Sequence, residues 1–175
     1  MKILEGCDSE SRRPDKARAF IIDENNNVAI SDYAGCLMFP GGKLDDGETS
    51  LEAVKREVRE ETGMNIDEND YQKQFTLRTV ADEYPARDGT ITKNRMQYID
   101  YYSANVPRIN FDSTNLTDKE QSAGYMNLAV KSDELMELII DHKTNNERWP
   151  FFKGELLVAS NKLLKEVVEV EADNE

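Results

Sequence analysis

Soft metal ligands are nearly missing from this 175-residue sequence, which holds two cysteines, Cys7 and Cys36, and one histidine, His142. Neither cysteine stands at a metal-ligand spacing. The two thiols read as a reduced cytosolic pair rather than a disulfide, and His142 reads as a surface residue at a helix end. Long apolar runs are missing too. None approaches the roughly 20 residues that a membrane-spanning helix needs. The opening MKILEGCDSESRRP is too charged, and its apolar part too short, for a signal peptide. A cytoplasmic protein is therefore expected, in which the formal sequon Asn115-Leu116-Thr117 carries no meaning. Basic residues are the third shortage. Lysine and arginine number 22 against 35 aspartates and glutamates, for a formal net charge of −13. Such a surface repels phosphate backbones and anionic membranes, so neither nucleic acid nor membrane is expected as a partner. There is no internal repeat and no low-complexity linker. The length suits one domain over 1–175, with 1–14 as an N-terminal segment and 169–175 as a frayed acidic tail.

Carboxylate is what the chain has in quantity, and its most ordered cluster lies between Gly42 and Met64, GKLDDGETSLEAVKREVREETGM. Thr49 and Glu52 stand three apart as a capping box, which predicts a helix starting just after Thr49. Gly63 is the expected left-handed stop. Leu51, Val54 and Val58 recur at helical spacing and supply an apolar stripe. Glu57, Glu60 and Glu61 form a second stripe beside it, at the rim where the helix meets the body of the protein. As helix design this is poor. Glu57 repels Glu60 and Glu61 at i,i+3 and i,i+4 by roughly 0.2–0.5 kcal/mol per pair, and two anions sit in the last turn, where the macrodipole favours cations. Arg56 reaches Glu60 at i,i+4 and relieves part of the repulsion. A solvated acidic face would account for the cluster, but a hard divalent cation bound there would reverse the sign of the local energetics.

The run resembles the Nudix box of MutT-like hydrolases at every specified position: Gly42, Glu48, Arg56, Glu57, Val58, Glu60, Glu61, Gly63 and Met64. The box covers about an eighth of the chain. The resemblance implies an α/β protein, an α/β/α sandwich around a mixed β-sheet. It also implies hydrolysis of a diphosphate linkage in a nucleoside diphosphate joined to a further group, with Mg²⁺, or Mn²⁺ in its place, as cofactor. By the same resemblance the metal ligands are the Gly41 carbonyl, Glu57 and Glu61, with Glu60 as ligand or base. Glu48 is expected to position water or buttress the loop, and Arg56 to orient the glutamates. The physical reading agrees: carboxylates on one rigid helix and a glycine carbonyl that lets a metal approach closely make a plausible cage. Metal ions would also give an acidic enzyme the local positive charge that anionic nucleotides need. A further acid is expected from the loop before the last strand. Glu120 is preferred as a fourth metal-site carboxylate or base, and Asp118 is the other candidate nearby.

Elsewhere the pattern predicts strands over 17–23, 28–32, 36–39, 71–81, 95–106 and 124–130. Polar excursions are expected over 82–93 and 110–122. A helix capped by Ser132 or Asp133 should follow, and a second should run from about Phe151 to Val170, its apolar stripe serving either an interface or the sheet. Substrate recognition is faint. Tyr98, Tyr101, Tyr102, Tyr84, Phe75 and Met38 are candidate base-pocket residues. Arg12, Arg13, Arg18, Arg78 and Arg95 are candidate phosphate clasps. A small-molecule nucleotide is the expected partner, with a homodimer possible by analogy with the family. Two other readings are a non-catalytic sensor on the same scaffold, which would be expected to have lost box carboxylates, and an isomerase, for which Cys36 is the only cysteine near the box.

Overall fold

The computed structural model describes residues 2–4, 13–86 and 88–172, with side chains over 13–86 and 88–165. Cys7, Arg12, Met1 and the last three residues lie outside that set. In chain order the elements are β1 Lys2–Leu4, β2 Lys16–Asp23, β3 Asn27–Tyr33, β4 Cys36–Met38, β5 Gly41–Lys43 and α1 Ser50–Thr62. There follow β6 Gln72–Pro85, β7 Ile91–Val106, α2 Asp118–Ser122, β8 Met126–Lys131, α3 Leu135–Asp141 and α4 Trp149–Ala172. The strands form one sheet in the order β1-β6-β7-β2-β3-β4, with β5 on β2 and β8 on β3. Among the described residues only β2 and β7 pair in parallel; the other pairings are antiparallel. The sheet is mixed, as expected.

Strand β2 explains why helices cover both faces. Every one of its eight residues is buried, and successive side chains point to opposite faces. Phe20 and Ile22 pack with Leu135, Ile139, Leu156 and Leu163 of α3 and α4. Ala17, Ala19 and Ile21 pack on the other side with Ala53, Val54 and Val58 of α1. The small residues at 17 and 19 let α1 lie close to the strand. Ile99 and Tyr101 against Tyr102 and Ala104 repeat the division on β7. The apolar stripe of α4 thus covers the sheet.

Three expectations need correction. The segment 82–93 is not a loop: β6 and β7 run on as a paired hairpin, Glu83 opposite Lys93 and Tyr84 opposite Thr92, as far as Pro85 opposite Ile91. This extension has no fully buried residue beyond Ala81, so it lacks the alternation by which strands are recognised; the backbone ladder holds it, with Tyr84 packed on Phe151 of α4 and beneath Arg95. The excursion 110–122 contains α2, opened by a capping box of Thr117 and Glu120. Finally, α3 begins after Glu134 with no side-chain cap. The Ser132 N–H donates to the Asn26 carbonyl and the chain turns once more, Glu134 N–H to Lys131 O, before the helix starts.

Candidate active site

Strand β4 and Phe39-Pro40 deliver the chain to β5, whose glycines meet α1. Gly41 has φ +136°, a conformation L side chains rarely adopt, and a Cβ there would overlap the backbone of Ala17 and Arg18. At Gly42 the missing Cβ leaves the space that the Glu57 carboxylate fills. Helix α1 begins as predicted, with the Thr49–Glu52 capping box formed, and ends on Gly63 at φ 77°, whose N–H donates to Arg59 O. Glu57 and Glu61 thereby sit one turn apart over the β4–β5 turn.

Glu61 is 6 % exposed. Its Oε2 accepts the Gly41 N–H at 2.8 Å. Burial pushes its carboxyl up to about 8, opposed by that N–H and aided by the Glu57 charge. Glu57 is raised as well, chiefly by burial, with the Arg56 guanidinium pulling it down. The Tyr125 hydroxyl is buried beside the Glu61 carboxylate and Ser31, close enough to interact with both, but forms no well-shaped hydrogen bond among the described residues. Two acids one turn apart in a poorly solvated place, beside a buried hydroxyl, form a donor set of hard oxygens in which a hard cation would offset an unfavourable charge. In this respect the residues fit a divalent metal. They do not form a closed cage: among the described residues, no three acidic, cysteine or histidine side chains converge as metal ligands. Glu57 is drawn to Arg56 instead, Nη1 to Oε1 at 2.9 Å.

Arg56 fastens the loop to the helix. It grips Glu48 through both oxygens, at 2.9 and 3.0 Å, and donates to Lys43 O at 3.0 Å. Its contact with Glu60 is longer, 3.4 Å. Glu48 Oε2 also accepts the Asp45 N–H, so this carboxyl is held below its usual range, by Arg56 first. Of Glu57, Glu60 and Glu61, Glu60 is the most exposed, and its carbonyl accepts the Asn115 N–H at 2.7 Å.

Gly41, Gly42, Glu57, Glu61 and Glu120 line a cleft of about 650 Å³; Glu48, Arg56, Glu60 and Asp118 do not. Glu120 lies near enough for its charge to raise Glu57, while its Oε2 accepts the Thr117 N–H and hydroxyl in the α2 cap. Of the base-pocket candidates only Met38 and Tyr84 reach the cleft. Tyr101 and Tyr102 are core, and Phe75 stacks on Tyr101. Arg18 is not a surface clasp. It is buried, with Nε on Glu155 Oε1 at 2.7 Å and Nη1 on Phe39 O at 2.8 Å and Gly41 O at 3.3 Å. Tyr101 donates to the same Glu155 oxygen at 2.9 Å, so α4 steadies the Gly41 turn through Arg18. Arg78 contacts Met96 Sδ, and Arg13 donates to Asp45 O and Glu48 O. Arg95 lies 3.5 Å above the Tyr84 ring and lines the cleft. Lys16, Lys119 and Arg148 line it too; nothing local in the sequence marks a lone lysine or arginine as cleft-facing.

His142 caps the C-terminus of α3, with its Nε2 3.0 Å from Gly35 O. Cys36 is a free, buried thiol pushed up to about 11 by burial. No helix among the described residues is long and apolar enough to cross a membrane.

Comparison with known proteins gives the same picture. The chain is 40 % identical over 83 residues to an 8-oxo-dGTP diphosphatase of Proteus vulgaris, covering 43 % of this chain and 69 % of that protein. It is 41 % identical over 49 residues to an ADP-ribose pyrophosphatase of Methanocaldococcus jannaschii, 25 % of this chain and 29 % of that one. The crystal structure of a Bacillus subtilis pyrophosphohydrolase superposes with a TM-score of 0.58 at 17 % identity, over 95 % of this chain and 90 % of that chain, a likeness of fold. Residues 12–129 match the family model of the NUDIX domain, and the chain belongs to the Nudix family as a Nudix hydrolase.

Proposed function

We propose that this protein hydrolyses a diphosphate linkage in a nucleoside diphosphate joined to another moiety, with Mg²⁺ as cofactor and Mn²⁺ as its substitute. The observation that carries this reading is the pair of carboxylates, the buried Glu61 and the partly buried Glu57, facing the Gly41-Gly42 turn in a cleft of nucleotide size. Relatives named for 8-oxo-dGTP and for ADP-ribose both cleave linkages of this class, which supports the class and leaves the choice within it to experiment.

In this reading the metal would be held by the Gly41 carbonyl, Glu57 and Glu61, with Glu60 turning in from Arg56 as a further ligand. When bound, it would supply charge neutralisation at the phosphate and a lowered pKa for water. The chain's own groups do the rest. Arg56 and Glu48 fix the loop, so that Glu57 and Gly42 keep their close approach. Glu120, whose second oxygen is not used in the α2 cap, is placed to take a proton from the attacking water; Glu60 is the alternative base. Arg18 holds the carbonyls of Phe39 and Gly41 in place. Residues 1–175 act as one domain, in a cytoplasmic setting that keeps Cys36 reduced.

A panel of nucleoside triphosphates, nucleotide sugars and dinucleoside polyphosphates incubated with Mg²⁺, with released phosphate species as the readout, tests the proposal. EDTA should abolish turnover, and Glu57→Gln or Glu61→Gln should cost about 10²-fold or more. Variants as fast as the parent on its best substrate would show that the site is wrongly assigned.

A further inference from the structure

The segment that carries Glu120 has little packing of its own. None of residues 110–124 is buried, and the five-residue α2 within it buries no side chain. Helix α1, by contrast, is packed on the sheet through Ala53, Val54 and Val58. The two meet at the last turn of α1, where helix carbonyls lack partners within the helix. At the near end of the segment, the Asn115 N–H donates to Glu60 O at 2.7 Å. Gly63 makes room there, since a Cβ on it would fall 2.6–2.8 Å from the Ser113 backbone. At the far end the bond comes from a side chain. Asn127 Nδ2 donates to Glu61 O at 2.7 Å, and its Oδ1 accepts the Ser31 hydroxyl at 2.9 Å.

Asparagine is a poor strand former, yet it stands on β8 directly opposite the buried Ser31 of β3. Its amide is used at both ends, and because a carbonyl only accepts, the NH₂ must face Glu61. Asn127 does not line the cleft, whereas Tyr125, two residues before it, does. The Tyr125 N–H donates to Glu120 O at 3.0 Å. A short path therefore runs from the end of α1 through Asn127 and Tyr125 to the backbone of Glu120.

We propose that Asn127 is a positioning residue for hydrolysis: by stapling the Glu120 segment to the C-terminus of α1, it sets where the Glu120 carboxylate stands relative to Glu57 and Glu61. The inference rests on the hydrolase reading and on Glu120 as the base. Without the staple the weakly packed segment is the part that moves, because Glu61 keeps its bond from the Gly41 N–H and α1 keeps its core face. A base displaced by about 1 Å loses about 10²-fold in rate, with the substrate held as before.

The test is a double-mutant cycle, with turnover of the best nucleotide measured for the parent, Asn127→Ala, Glu120→Gln and the double variant. Asn127→Ala should lower kcat about tenfold or more while KM stays within about twofold. In the Glu120→Gln background the same substitution should cost less than about twofold, because the group it positions is already gone. A residue acting through the metal ligands would instead weaken Mn²⁺ binding about tenfold or more, and Asn127→Ala should not. Equal losses in both backgrounds, a raised KM at unchanged kcat, or weakened Mn²⁺ binding would each overturn the proposal. Ser31→Ala, which removes only the hydroxyl that orients the amide, should give the same pattern at smaller size and decides the matter if Asn127→Ala does not fold. Amide hydrogen exchange tests the staple without any activity. The Asn115 and Tyr125 N–H groups should exchange faster in Asn127→Ala than in the parent, and unchanged exchange overturns the staple. A parent that turns over no nucleotide refutes the hydrolase reading; normal turnover with equal losses in both backgrounds refutes Asn127 alone.

Discussion

Replacing Gly42 with alanine should damage the site while leaving the fold nearly intact. The backbone at Gly42 has no need of glycine's left-handed freedom, and the collision is with one side chain. The added Cβ would stand 2.7 Å from Glu57 Oε2 and closer still to Oε1 and Cδ, where ordinary contact begins at 3.4 Å. Even the farthest of these atoms must retreat by about 0.7 Å, and the 2.9 Å bond from Arg56 Nη1 to Glu57 goes with it. Arg56 keeps its two bonds to Glu48, so the loss of stability should be only about 1 kcal/mol, the net worth of one partly exposed hydrogen bond. Activity is another matter. A displacement near 1 Å in a catalytic constellation costs about 10²-fold. The assay is kcat/KM on the best nucleotide, beside urea unfolding. A Gly42→Ala enzyme within twofold of the parent would refute the claim that Glu57 works from the position it holds here.

Three other outcomes follow from the same geometry. Burial raises the Glu61 carboxyl in the folded state from its ordinary 4.5 to about 8. Between those values the native state binds a proton that the unfolded state lacks, so stability should fall as pH rises through that window, by up to about 1.4 kcal/mol per pH unit, and level off above it. Urea unfolding of the metal-free protein across pH 5 to 9 should show this, and Glu61→Gln should flatten the curve. Glu155→Ala leaves Arg18 buried and unpaired, which should cost about 3–5 kcal/mol; a midpoint in urea close to the parent's would contradict the network. Cys36→Ala should keep most of the activity, because a buried thiol pushed up to about 11 is a poor nucleophile at neutral pH; a dead but folded variant would revive the isomerase reading.

What could be read from sequence depended on how local the physics was. Helix α1 announced both its ends because its caps, Thr49 with Glu52 and then Gly63, lie within its own run. The same capping pattern at Thr117 and Glu120 is harder to read as a helix start, because the five helical residues after it bury no apolar face that would mark them. The β6–β7 extension is illegible for a related reason: only Tyr84 packs against α4, and its other residues are polar and solvated like those of a loop. Arg18, Glu155 and Tyr101 could not be joined at all. The partners are 137 and 54 residues apart, and only the packing of α4 on β2 brings them together. Lys16 likewise looks like any strand lysine until the parallel pairing of β2 with β7 buries it.

Manganese binding followed by electron paramagnetic resonance bears most directly on the central claim, that the glutamates of α1 exist to hold a divalent cation against the Gly41-Gly42 turn. The parent should bind Mn²⁺, more tightly with a non-hydrolysable nucleotide present, and Glu57→Gln and Glu61→Gln should each lose about tenfold or more in affinity. Equal affinity in the parent and both variants, with folding intact, would contradict it.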